Sequence, residues 1–117
     1  MGTHAAGIDA FGTYGWHTGA AVADVNGDGR PDIFVSGYAD VNAPGPSDAG
    51  FPNNYKGVRD LLYLNTGNDA SGRARFREVG EALHIDSAAP EHGLGAVFMD
   101  ANGDGRPDLY VANDANP

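Results

Sequence analysis

A twelve-residue acidic segment that occurs twice restricts the folds available to this chain. DVNGDGRPDIFV spans residues 24–35 and DANGDGRPDLYV spans residues 100–111, so nine of the twelve positions are identical at an offset of 76 residues. Each copy starts with acids separated by glycines and ends in β-branched and aromatic residues, which favour a strand. The two copies therefore predict a repeated unit in which a tight acidic loop leads into a strand.

The composition favours short strands joined by turns. The chain has 117 residues, of which 18 are glycine and 7 are proline, while a hydrophobic fraction of 41% is too high for a disordered chain. This length allows one domain, or part of one, with a modest core. Because the sequence contains no cysteine, disulfides and thiolate metal sites are excluded. An all-β architecture is expected.

The charge and the terminal sequence exclude several classes of partner. The net charge is −9 and the pI is about 4.5, so the chain repels phosphate backbones and no nucleic-acid partner is expected. No stretch approaches the roughly 20 apolar residues of a membrane span, so membrane insertion is not expected. The first residues, MGTHAAGIDAFG, lack the basic and apolar regions of a signal peptide.

Apolar and alternating runs predict six strands. The first four span residues 19–23, 32–38, 60–65 and 75–79, with a long loop at 39–58 and a turn at 66–74. The pattern then restarts with strands at 95–99 and 108–114. The order is one four-stranded unit followed by the first half of another.

Four strands per unit at this period are typical of β-propeller blades. We therefore expect an all-β chain built from four-stranded β-propeller blades, with about one and a half blades present. Residues 1–117 would form a partial propeller, in which 15–80 are the first blade and 91–117 are the first half of the second.

The repeated loop has the donor spacing of a calcium site. Positions 1, 3, 5 and 9 carry side-chain oxygens, glycine at position 6 allows a sharp turn, and position 7 can offer its backbone carbonyl. Oxygen ligands in a flexible loop suit Ca²⁺ better than Zn²⁺ or Mg²⁺. The predicted ligands are Asp24, Asn26, Asp28, Arg30 and Asp32 in the first loop, and Asp100, Asn102, Asp104, Arg106 and Asp108 in the second.

Two alternatives to this interpretation can be weighed on the sequence. An EF-hand requires glutamate at position 12, where this chain has Val35 and Val111, and its flanks are strands rather than helices. A single Asn-Gly-Asp-Gly segment would also be compatible with an ordinary turn. Two complete matches in one chain favour two Ca²⁺ sites, with a structural rather than a catalytic role.

These motifs resemble a known family. GAAVADVNGDGRPDIFVSGY and GAVFMDANGDGRPDLYVAND resemble FG-GAP repeats, also called VCBS-type repeats, of β-propeller proteins, and RDLLYLNTGNDASGRARFREVGEALHI resembles the second half of such a blade. The wider resemblance is to bacterial secreted FG-GAP proteins that end in an ASPIC/UnbV domain, and more remotely to integrin α-subunit propellers. It covers about residues 7–117.

The resemblance implies a Ca²⁺-stabilised propeller of about seven blades that is exported from the cell, to the extracellular space or the periplasm. The resemblance implies that each of the ten loop residues named above corresponds to a position of the family's calcium-binding loops. Only about one and a half blades are present, and no ASPIC/UnbV segment is visible. We therefore expect a fragment of a longer protein or a truncated gene product.

Two functions remain open. The first is a non-enzymatic calcium-binding propeller segment that recognises a protein or carbohydrate ligand outside the cell. The alternative is part of a secreted propeller enzyme that acts on polysaccharide as a lyase or hydrolase. The first is favoured because the sequence shows no nucleophile elbow, and its clustered carboxylates are assigned to metal.

Aromatic residues and histidines are weaker candidates. Aromatic side chains near the long loop can line a sugar-binding surface or pack the loop onto the blade: Trp16, Tyr38, Phe51 and Tyr55. His17 and His92 precede the two glycine-alanine strands, where they can pair at a propeller centre or simply pack. His4 and His84 lie apart from both.

Overall fold

The computed structural model describes residues 15–85 and 91–114, and these residues form an all-β fold without helices. His4 and the expectation about the N-terminal residues therefore lie outside the described residues. No helix in the described ranges could cross a membrane. The eight strands are β1 (His17–Ala23), β2 (Asp32–Gly37), β3 (Ala39–Pro44), β4 (Tyr55–Gly57), β5 (Leu61–Asn68), β6 (Ala74–Glu78), β7 (Gly93–Met99) and β8 (Asp108–Asn113).

A four-stranded antiparallel sheet is the main element, with the strand order β1-β2-β5-β6. The acidic loop at 24–31 joins β1 to β2, and Phe34 on β2 pairs with Leu62 on β5. The six strands predicted from the sequence are all present. The turn predicted at 66–74 is shorter than expected, because β5 extends to Asn68 and β6 begins at Ala74.

The prediction of a long loop at 39–58 is wrong at both ends of the segment. β3 and β4 lie there and pair antiparallel, with Ala39 opposite Gly57 and Asp40 opposite Lys56. Half of the β3 residues are exposed, and the strand shows no hydrophobic alternation. The pairing rests on backbone hydrogen bonds, which a sequence pattern does not reveal.

The second hairpin repeats the geometry of the first. Every paired position of β1 and β2 recurs in β7 and β8 at an offset of 76 residues: Ala21 pairs with Phe34, and Val97 pairs with Tyr110. The irregularity in register also recurs, between His17 and Gly19 and again between Gly93 and Gly95. The repeated sequence therefore folds into the same local structure twice.

The hairpin β7–β8 packs on one face of the four-stranded sheet. Phe34, Leu62 and Val79 form the buried cluster there, and side chains of the hairpin pack against it, namely Ala96, Phe98 and Val111. Glycine allows the strands to approach closely, because a Cβ at Gly19 would lie 2.9 Å from the Cα of Gly95. This contact requires glycine at position 19, whereas a Cβ at Gly95 would meet no atom within 4 Å, so it does not account for the glycine of the second copy.

Candidate metal centre

The second acidic loop gathers three carboxylates at one point. One ligand atom each from Asp100, Asp104 and Asp108 lies within 4.8 Å of the others. Asp100 and Asp104 are exposed, so a cation could reach the group from solvent. Three carboxylates this close repel one another, and a bound cation removes that repulsion.

Backbone N–H groups fix the orientation of these side chains. The carboxylate of Asp100 accepts hydrogen bonds from the N–H groups of Asp104 at 3.0 Å and Gly105 at 2.9 Å. The Asn102 side chain accepts from Asp104 N–H at 3.1 Å, and the Asp108 carboxylate accepts from Ala101 N–H at 3.0 Å. The loop therefore wraps around its own oxygen ligands.

The first loop has the same internal hydrogen bonds. Asp24 accepts from Asp28 N–H at 3.1 Å and from Gly29 N–H at 2.7 Å, and Asn26 accepts from Asp28 N–H at 3.2 Å. Gly29 has a φ of +82° and its equivalent Gly105 has +81°, a conformation that glycine adopts without strain. The shared hydrogen bonds show that both loops orient the side chains at positions 1 and 3 alike.

The two loops differ at their last aspartate. Asp32 is fully buried, and its carboxylate accepts from Val25 N–H at 2.9 Å and from Asn65 N–H on β5 at 2.8 Å. Asp108 is only partly buried, and the structure describes no strand beside β8 that would correspond to β5. The first loop is thereby tied to the sheet, and its carboxylates are not drawn into a group like that of the second loop.

An arginine in each loop pairs with the aspartate two residues before it. Arg30 lies 3.0 Å from Asp28, and Arg106 lies 3.6 Å from Asp104. Arg30 also donates to the backbone oxygen of Asn65 at 3.1 Å. Each guanidinium therefore offsets part of the carboxylate charge, and the exposed Arg106 pair is the weaker of the two.

Asp24 is held in its charged form. Hydrogen bonds from backbone N–H groups, that of Gly29 above all, keep the pKa of Asp24 below its ordinary value. Asp24 is consequently ionised at neutral pH and available to a cation. The donor set as a whole consists of carboxylates, one amide and backbone carbonyls in each loop, which is the chemistry of a hard cation such as Ca²⁺.

The chain matches no family model, no curated protein and no solved structure. The sequence and the geometry of the described residues therefore carry the functional argument.

Asn65 supports the first loop, and the sequence pattern does not predict this role. The backbone of Asn65 anchors the first loop at two points. Its N–H donates to the Asp32 carboxylate, and its carbonyl oxygen accepts from the Arg30 side chain. Its side chain accepts from Gly67 N–H at 2.9 Å, where the register of β5 shifts. The signal available was an asparagine at the polar end of the apolar run DLLYL.

The two histidines for which the sequence leaves pairing or packing open are both at least partly buried. His92 is buried and its ring lies edge-on to Tyr38, with its Nε2 3.0 Å from the backbone oxygen of Tyr55. His17 is half-buried, and its Nε2 has no hydrogen-bond partner. The burial of both side chains is compatible with the packing alternative.

His17 should make stability depend on pH. Burial lowers its pKa from 6.5, and the positive charge of Arg59 lowers it further. The unfolded chain then binds the proton more tightly, so this contribution to stability is complete above pH 6.5 and decreases as the pH falls. We expect the thermal midpoint to fall between about pH 7.5 and 5.5, and His17→Asn to reduce that dependence, as followed by circular dichroism.

His84→Asn is the control for this measurement. His84 is exposed and has a φ of 52°, which asparagine tolerates. An equal loss of pH dependence in the two variants would show that the burial of His17 does not cause it.

Proposed function

We propose that this chain is a calcium-binding segment of a β-propeller of the FG-GAP or VCBS type, with one structural Ca²⁺ in each acidic loop. The observation that carries the proposal is the group of three carboxylates within 4.8 Å in the second loop. The equivalent hydrogen bonds in the first loop support a second site of the same kind.

The ligands proposed for each ion come from a single loop. In the second loop they are the side chains of Asp100, Asn102, Asp104 and Asp108 with the backbone carbonyl of Arg106; in the first they are those of Asp24, Asn26, Asp28 and Asp32 with the carbonyl of Arg30. Ca²⁺ is favoured over Mg²⁺, because Mg²⁺ usually retains several waters and uses few carboxylates. Two ions would change the formal charge from −9 to −9 + 4 = −5.

The packing of the second hairpin supports the propeller. Its outer face carries Val97, Met99 and Tyr110, which are 45%, 46% and 62% exposed. Their equivalents on β1 and β2, 76 residues earlier, lie on the face that the second hairpin covers. A further unit of the same kind would cover this apolar face in the same way, and repetition of that contact builds a propeller.

The proposed role is recognition or adhesion outside the cell, without catalysis. The resemblance to secreted FG-GAP proteins supports the location, and the ions would serve to stiffen the loops and neutralise their acids. The carboxylates of each loop also accept hydrogen bonds from N–H groups of the same loop, which orient them.

Equilibrium dialysis against Ca²⁺ tests the ligand assignment. The wild-type chain should bind two Ca²⁺, one for each loop, and Asp104→Ala should bind one, because the substitution removes a central carboxylate of the second loop. Asp48→Ala is the matched control, since Asp48 is an exposed acid outside both loops. A stoichiometry of two in Asp104→Ala would exclude this residue as an essential ligand.

A further inference from the structure

Five rings form a continuous aromatic surface where the first sheet meets the second hairpin. Phe51 lies at its centre, with ring centroids 6.4 Å from Trp16, 5.8 Å from Tyr38 and 6.3 Å from Tyr55. The ring of His92 lies 5.9 Å from that of Tyr38. For Trp16, Tyr38, Phe51 and Tyr55, the sequence allows two roles, which are to line a sugar-binding surface or to pack the long loop onto the blade.

The floor of this aromatic surface is buried and hydrogen-bonded. Tyr38 is 7% exposed, and its hydroxyl donates to Asp114 at 2.8 Å, which joins the first sheet to the second hairpin. His92 is 6% exposed and hydrogen-bonds to the Tyr55 backbone. The backbone of Trp16 makes two hydrogen bonds of 2.8 Å. Its N–H donates to the carbonyl oxygen of Ala39, and its carbonyl oxygen accepts from the N–H of Tyr38.

Two rings of the surface are open to solvent. Trp16 is 52% exposed and Phe51 is 57% exposed, although both contact other aromatic rings. The loop at 45–54, to which Phe51 belongs, leaves more than half of each of these two side chains exposed. The two open rings are tilted by 56° to each other with centroids 6.4 Å apart, so they form an angled apolar surface that a ligand with apolar C–H groups can contact.

The aromatic surface lies at the end of the sheet opposite the first acidic loop. Trp16 precedes the first residue of β1 and Tyr38 follows the last residue of β2, whereas the loop at 24–31 joins the other ends of these strands. A ligand on the aromatic surface would therefore not compete with a cation in that loop.

We propose that this aromatic surface binds a neutral carbohydrate, whose C–H groups contact the angled rings of Trp16 and Phe51. Sugar hydroxyls are hydrogen-bond donors, and the charged side chain bonded into the cluster, Asp114, is an acceptor. The net charge of −9 disfavours anionic polysaccharides. The inference names the ligand class for the recognition role proposed above and rests on that role, but it does not require either metal site.

Fluorescence provides a direct test, because Trp16 is the single tryptophan of the chain. The chain in calcium buffer is titrated with cellohexaose, mannohexaose and maltohexaose, with oligogalacturonate as the anionic probe and oligolysine as the cationic probe. At least one neutral oligosaccharide should change the Trp16 emission in a saturable manner, while oligogalacturonate should not.

Phe51→Ala keeps the fluorescent reporter and removes half of the open surface. It should weaken binding of the neutral oligosaccharide by at least about tenfold. Leu83→Ala is the matched control, since Leu83 is an apolar residue that is 58% exposed in the turn after β6, and it should bind like the wild type. Circular dichroism of each variant confirms that it is folded.

Three outcomes would overturn the proposal. The first is an unchanged Trp16 emission with all three neutral oligosaccharides. The second is a response to oligolysine alone, which would indicate a cationic partner. The third is an unchanged affinity of Phe51→Ala for the neutral oligosaccharide. Calcium stoichiometry measured on the same samples separates this proposal from the previous one. Phe51→Ala should retain two Ca²⁺, and sugar binding by a chain that binds no Ca²⁺ would contradict only the proposed metal sites.

Discussion

Millimolar Ca²⁺ is expected to raise the thermal unfolding midpoint of this chain by roughly 10 °C or more. A ligand that binds only the folded state stabilises it in proportion to the logarithm of its concentration over Kd. Extracellular calcium modules bind with Kd values of about 10⁻⁴ to 10⁻³ M, so two sites at about 10 mM would contribute roughly 3–5 kcal/mol. The measurement is a circular dichroism melt in Ca²⁺, in Mg²⁺ and in chelator.

The double variant Asp28→Ala and Asp104→Ala is the matched control for this melt. It removes one carboxylate from each loop, so its midpoint should be nearly the same in Ca²⁺ and in chelator. Equal midpoints of the wild type in Ca²⁺, Mg²⁺ and chelator would contradict a structural role for calcium.

Asp32→Ala is expected to destabilise the chain by roughly 3 kcal/mol in chelator, and Asp108→Ala by about 1 kcal/mol. The two residues occupy the same position of the repeat, but Asp32 is fully buried and satisfies two N–H groups, those of Val25 and Asn65. Removing its carboxylate takes the acceptor from the buried Asn65 N–H and from the partly buried Val25 N–H, and a buried unpaired group costs about 1–3 kcal/mol. Urea unfolding of the two variants measures the difference.

Asp32→Asn refines this comparison. It preserves the volume of the side chain but faces one of the two N–H donors with an amide NH₂, so its loss of stability should lie between those of the wild type and Asp32→Ala. If Asp32→Ala and Asp108→Ala lost the same stability, the anchoring of the first loop to β5 would not contribute to folding.

The repeated segment made the strands on either side of each loop predictable, because an acidic turn between two apolar runs is typical of a β-hairpin. The sequence did not distinguish the two copies, although Asp32 is buried and Asp108 is not. That difference comes from Asn65, which lies 33 residues from Asp32 along the chain and reaches it only through the pairing of β2 with β5. The local sequence pattern around each loop does not predict such long-range contacts.

The segment at 39–58 shows a second limit of the sequence. Its prolines and polar residues predict an irregular loop, whereas β3 and β4 pair through the backbone, and nearly all of their side chains are exposed or only partly buried. The contact of Phe51 with Trp16 and Tyr38 likewise depends on how this segment folds back over the end of the sheet. Aromatic composition suggested a surface, but only the fold brings the rings together.

A crystal structure of the chain grown in millimolar Ca²⁺, with anomalous scattering to locate the ions, tests the central claim most directly. One ion is expected in each acidic loop, with oxygen ligands at about 2.3–2.6 Å. In the second loop, these ligands should include the carboxylates of Asp100, Asp104 and Asp108. Acidic loops without an ion in those crystals, or calcium bound only elsewhere on the surface, would contradict the proposed function.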